Sequence, residues 1–165
     1  MRLIPVLGGL AALAFASAAS AAPVSVAFSP AFQSAMEDDI GVREGDYLRS
    51  RVVNAVNAAL ARRGVSAAEG SIQVDILDAD PNRPTLQQLS ETPGLDYMRS
   101  FSIGGAELHA TVRGANGQSV EVSHRRYDHT IAEYNGLPAT TWTAAQRAIR
   151  QFAEKVADAY VAQPR

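Results

Sequence analysis

The stretch Gly104-Gly105-Ala106-Glu107-Leu108-His109-Ala110-Thr111-Val112-Arg113-Gly114-Ala115-Asn116-Gly117-Gln118-Ser119-Val120-Glu121-Val122 decides the fold. Ala106, Leu108, Ala110 and Val112 alternate with Glu107, His109, Thr111 and Arg113, the two-residue period of a half-buried strand. Val120 and Val122 resume that period after a turn. A three-residue loop, Ala115-Asn116-Gly117 with Gly117 left-handed, keeps the apolar residues of both strands on one face. That register pairs Val112 with Val120 and Ala110 with Val122, and sets Glu107 opposite Arg125, a favourable cross-strand pair. Gly104-Gly105 predicts a bulge or a close backbone approach at the entry to the hairpin.

Upstream, Val24, Val26 and Phe28 alternate with Ser25, Ala27 and Ser29, predicting a first strand that ends at Pro30. The stretch after Pro30 reads as irregular. Asp46 reads as the cap of a helix from about Tyr47 to Arg63, with Leu48, Val52, Ala55, Val56, Ala59 and Leu60 as its apolar stripe and Gly64 as its left-handed stop. Ile72, Val74 and Ile76 predict a second strand. A connection from Asp78 to about Ser100 follows, in which Thr85-x-x-Gln88 predicts a short capped helix. Thr143-x-x-Gln146 reads as a second capping box, opening a helix to about Val161 with Ala145, Ile149, Phe152, Val156, Ala159 and Tyr160 inward. The order β-α-β-β-β-α predicts an α+β two-layer sandwich: a four-stranded mixed sheet with two helices on one face. The first helix would link parallel strands by a right-handed crossover.

Arg2, the apolar run Leu3 to Phe15 and the small-residue stretch to Ala22 have the order of a secretory signal peptide. Ala19-x-Ala21 places cleavage after Ala21, giving residues 1–21 as signal and 22–165 as a single domain. The strongly apolar part ends at Phe15, short of a membrane span, so cleavage with no stable insertion is expected, a retained membrane anchor being the alternative. The expected location is periplasmic or secreted. The chain has 165 residues and no cysteine, which excludes disulfides, thiolate metal sites and a lipoprotein anchor. Without residues 1–21 there remain 14 Lys and Arg against 17 Asp and Glu, a net acidity that argues against nucleic-acid binding.

Asp78-x-Asp80-x-Asn82 begins like a calcium loop, but Arg83 stands where the turn needs glycine and Leu89 where the bidentate acid belongs. A turn is the better reading, and no metal or cofactor is expected. Glu37-Asp38-Asp39 reads as a solvated loop. In Ser123-His124-Arg125-Arg126-Tyr127-Asp128-His129, a hydrolase would use His124 or His129 as base with Asp128 as its orienting acid. No nucleophile motif accompanies them, and a charged edge strand explains the same residues. Loop aromatics and neighbouring arginines, namely Tyr97, Arg99, Arg126, Tyr127, Tyr134 and Trp142, are the candidate binding residues, since such side chains anchor interfaces.

Ser102-Ile103-Gly104-Gly105-Ala106-Glu107-Leu108, with the hairpin after it and the amphipathic C-terminal helix, resembles small exported bacterial envelope proteins. Many of these are lipoproteins of unknown function, and some resemble auxiliary subunits of transport or envelope-assembly systems. The resemblance carries over no catalytic residue. The expected function is a non-catalytic exported domain that binds an envelope protein partner through the 78–100 connection and the 127–142 segment. The missing cysteine departs from the lipoprotein pattern. A small-ligand binder using the same loops is the alternative, and a hydrolase built on His124, Asp128 and His129 the third reading.

Overall fold

Alternating apolar positions in the middle of the chain build the sheet around which everything else is arranged. The computed structural model describes residues 24–65, 70–130 and 139–163. Its elements are β1 (Val24–Phe28), α1 (Pro30–Ala35), a π-helical turn (Met36–Ile40), α2 (Val42–Arg62), β2 (Ser71–Asp80), α3 (Leu86–Glu91), β3 (Gly105–Arg113), β4 (Ser119–Tyr127) and α4 (Thr143–Val161). The strands lie in the order β1-β2-β3-β4. β1 and β2 are parallel, and the other two pairings are antiparallel. The architecture is the predicted α+β sandwich with a mixed four-stranded sheet.

The predicted hairpin register is the observed one: Val112 faces Val120, Ala110 faces Val122 and Glu107 faces Arg125. The last pair closes as an ion pair of 3.2 Å. Gly117 is left-handed with φ 78°, and Gly114 N–H donates to the Gln118 carbonyl across the loop at 3.1 Å. On the inner face, Ile72, Val74 and Ile76 of β2 stand opposite Val112, Ala110 and Leu108 of β3, all buried. Leu48, Val52, Val56 and Leu60 of α2 and Ile149, Phe152 and Val156 of α4 join them in one core. Each such buried side chain contributes about 1.5–3 kcal/mol. Ala145, Ala148, Ala153 and Ala157 of α4 are also buried, and their small size lets the helix settle close to its neighbours. At the far end of α2, Arg63 bonds Glu154 and Asp158 of α4, and Arg62 also reaches Glu154. These guanidinium groups, Arg63 foremost, hold the Glu154 carboxyl below its ordinary pKa.

Four details differ from the sequence reading. The stretch after Pro30 is helical: Ser29 Oγ accepts the Phe32 N–H at 3.1 Å and donates to the Leu77 carbonyl at 2.9 Å, so Pro30 starts α1 as well as ending β1. α2 starts at Val42, behind Gly41 with φ 105°, while Asp46 lies inside the helix and pairs with Arg49 at 3.2 Å. β2 runs on to Asp80 through a register shift at Leu77. Finally, Thr143 does not cap α4. The Trp142 side chain makes no cap there either, and the Ala144 N–H is taken by Asn82 Oδ1 at 2.7 Å, 62 residues away in the chain.

Asn82 is fully buried. Its N–H donates to the Thr141 carbonyl at 2.6 Å, and its carbonyl accepts the Ser102 N–H at 3.1 Å. Its Nδ2 donates to the Ser102 carbonyl at 3.3 Å. Gly104 packs directly on this amide, where a Cβ would come within 2.3 Å of Nδ2. The predicted close approach at Gly104-Gly105 is therefore real, since a Cβ on Gly105 would also lie 2.4 Å from the Arg126 carbonyl.

Asn82→Ala is expected to destabilise the fold by about 2–4 kcal/mol, because it strands the Ala144 N–H and the Ser102 carbonyl. Gly104→Ala is expected to do comparable harm through the clash. Urea unfolding followed by circular dichroism measures both, and a loss under about 0.5 kcal/mol for Asn82→Ala would contradict the assigned role.

Candidate functional site

The long connection between β2 and β3 is fastened at several points. Arg83, largely buried, donates from Nε to the Ala139 carbonyl and from Nη1 to the Tyr97 carbonyl. Its guanidinium lies 4.1 Å from the Phe101 ring centroid and 5.3 Å from that of Tyr97, a cation–π stack that keeps a buried charge solvated by protein. The predicted α3 capping box is present, with Gln88 N–H on Thr85 Oγ1 at 3.3 Å and Thr85 N–H on Gln88 Oε1 at 3.1 Å. Gln88 Nε2 then reaches Asp39 Oδ2 at 2.7 Å, and Gln87 Nε2 reaches the Glu37 carbonyl at 3.2 Å. The connection is thus tied to residues 139–144 on one side and to the π-helical turn on the other.

Between these ties lies a cleft of about 450 Å³. Pro81, Pro84, Leu95, Phe101 and Ile103 make its apolar wall. Among the described residues its charged lining is Asp39 and Asp80, with no Lys, Arg or His. Partial burial, and then the charge of Asp78, raise the Asp80 pKa above the ordinary value. Along the same connection Leu86, Met98 and Ile103 stand out into solvent, Met98 at 70 % exposure.

The sequence-predicted site residues separate into groups. Tyr97 and Trp142 line a second, shallower groove with Tyr47 and Arg43. Trp142 itself is buried at 3 % exposure and donates Nε1–H to Glu44 Oε2 at 2.6 Å, so it anchors its loop to α2. Arg99 is exposed, in a turn where Asp96 Oδ1 accepts the N–H groups of Met98 and Arg99. Tyr127 turns its hydroxyl onto Asp78. Burial and that hydrogen bond push its phenol far above the ordinary range. Arg126 and Arg147 converge on buried Asp128, at 3.5 and 3.0 Å. Tyr134, like the expected signal peptide at residues 1–21, lies outside the described residues.

His124 does not have the arrangement of a catalytic base paired with Asp128. Its Nε2 meets Gln151 Oε1 at 3.2 Å and its Nδ1 meets Lys155 Nζ at 3.1 Å, so both ring nitrogens are engaged by α4. Asp78 and Asp80 sit on β2 and Asn82 faces the interior, so the three do not form a calcium loop. Among the described residues no cluster of three or more His, Asp or Glu is placed to hold a metal, and no helix is long and apolar enough to cross a membrane. The sequence reading took Asn82 and Arg83 for a turn and missed their buried roles and the cleft they hold beside the 78–100 connection. Their only sequence trace is a polar pair between prolines, Pro81-Asn82-Arg83-Pro84, at the end of a strand.

Burial foremost, then the charges of Lys155 and Arg126, lower the His124 pKa below 6.5, against the opposing bond to Gln151. The folded state therefore favours the neutral ring. Its contribution is complete above pH 6.5 and is lost as pH falls from there through the folded value. His124→Gln is expected to flatten the fall in melting temperature between about pH 7.5 and pH 5; an unchanged slope in thermal scans would refute this.

The functional reading rests on this geometry, because no protein-family model, curated protein or solved structure matches the chain.

Proposed function

We propose that this chain is an exported, non-catalytic domain, periplasmic or secreted after cleavage near Ala21, that holds an envelope protein partner in the cleft of the β2–β3 connection. The observation that carries the reading is a cleft with an apolar wall and two uncompensated carboxylates, displayed on a connection that buried Asn82 and Arg83 hold still. A preformed apolar surface with few polar groups suits binding, because little ordering entropy remains to be lost when the partner docks. Asp39 and Asp80 set its chemistry: the bound segment presents an apolar side chain together with a Lys or Arg. Among the candidate residues, Tyr97 stays close to this surface through its carbonyl bond to Arg83.

A second reading, a small-ligand binder, is favoured by the cleft volume of about 450 Å³, within the range of small-molecule sites. The ligand would be a cationic amphiphile. The hydrolase reading ranks below both, since His124 spends both ring nitrogens on α4.

A photo-crosslinking amino acid at Met98 is expected to trap a discrete protein partner in intact cells. Ile103→Lys and Asp80→Asn are each expected to reduce that adduct by roughly tenfold, the scale of removing one interface anchor, with little change in melting temperature. An adduct indifferent to both substitutions would refute the cleft as the contact. A rise in melting temperature with cationic amphiphiles, lost in Asp80→Asn and without any protein adduct, would establish the second reading instead.

A further inference from the structure

β4 is an edge strand. Its ladder to β3 is regular from Gly105–Tyr127 to Arg113–Ser119. Just beyond its two ends, the Asp128 N–H donates to the Gly104 carbonyl at 3.0 Å, and the Gln118 carbonyl accepts from Gly114 at 3.1 Å. Even-numbered positions therefore turn their backbone groups toward β3. By the alternation of an antiparallel ladder, Glu121, Ser123 and Arg125 turn theirs outward. Among the described residues no strand pairs with that outer side. Such a row of N–H and C=O groups is a template for a further strand.

The side chains above this edge select what can pair there. On the helix side, His124 and Arg126 lie beside a row on α4, Arg147, Gln151 and Lys155, spaced by four. Lys155 meets His124 at 3.1 Å, and Arg126 and Arg147 meet Asp128. Among the described residues, three fixed cations thus stand with the carboxylate of Asp128 on this side. On the open side Glu121 is engaged by His109 at 3.0 Å and Arg125 by Glu107 at 3.2 Å. A second copy paired about Ser123 would set Val122 against His124 and Val120 against Arg126, and would bring two cationic α4 rows together. The like charges on the helix side oppose self-pairing there and favour an acidic guest, while on the open side Glu121 would face Arg125 of the other copy.

We infer that the outer edge of β4 receives an extended segment of another protein bearing Asp or Glu at alternate positions, which adds a fifth strand and lays its carboxylates along Arg126, Arg147 and Lys155. This site is separate from the cleft, and its test does not depend on the cleft reading.

The probe is a synthetic nine-residue peptide of alternating glutamate and threonine, with a lysine-for-glutamate counterpart as control. The glutamate peptide is expected to bind, to weaken as salt is raised, and to slow amide exchange at Glu121, Ser123 and Arg125, read by NMR. Ser123→Pro removes an outward N–H that serves no bond to β3. It is expected to abolish binding while the melting temperature holds, because proline is tolerated on the free side of an edge strand. Lys155→Glu, at an exposed position, is expected to weaken the glutamate peptide by about tenfold and to improve binding of the lysine peptide. Equal binding of both peptides, no protection of the three amides, or a concentration-dependent dimer that Ser123→Pro dissolves would each overturn the inference, the last by giving the edge to a second copy.

Discussion

A buried amide that must be satisfied on every side is the constraint on which the rest of this structure depends. Asn82 follows the end of β2, and its hydrogen bonds join that end to the entry of β3, through Ser102, and to the start of α4, through Thr141 and Ala144. Leaving any one unmade would cost the full desolvation of a polar group, more than a typical hydrogen bond returns. The three elements can therefore move only together. Gly104 is part of the same arrangement, because only a residue without a side chain lets β3 begin so close to the amide. Arg83 then repeats the device one residue on: its charge is tolerated in the interior because two carbonyls and two aromatic rings surround it.

This knot divides the molecule's surface by charge. Among the described residues, the cleft carries aspartates without cations, while the helix side of the β4 edge carries Arg126, Arg147 and Lys155 with Asp128. The chain as a whole is only mildly acidic, with a net charge of −2. The two regions thus differ in sign far more than the total suggests. Screening over about 8–10 Å in physiological salt keeps such fields local, so each region can select its own partner chemistry.

The parts of the fold legible in the sequence were those set by local periodicity. The hairpin register followed from requiring Val112, Ala110, Val120 and Val122 to share a face across a three-residue loop, because a slip of one residue would have turned them all to solvent. The apolar stripes of α2 and α4 were legible for the same reason. The helical start after Ser29 was obscured by Pro30, which reads equally as the end of a strand and as the first residue of a helix. Thr143 and Gln146 resembled a cap, yet Gln146 bonds Tyr47 and Arg51 on α2 and the helix takes its cap from Asn82. A cap donated from 62 residues away leaves no local pattern to read. Trp142 and Tyr127 read as loop aromatics, yet their polar atoms are partnered inside the protein by Glu44 and Asp78, which a sequence cannot distinguish from aromatics offered to a partner.

The parallel pairing of β1 with β2 bears on how the chain comes together in time. Val24 lies beside Ile72, so the first strand made has no neighbour until the whole of α2 and the start of β2 have followed it. The β3–β4 hairpin needs only a three-residue loop to close, whereas β1 waits on a contact that spans almost a third of the chain. A chain delivered N-terminus first thus carries an apolar, unpaired strand ahead of the residues that will shelter it. By loop closure alone, the β3–β4 hairpin can form before β1 finds its neighbour.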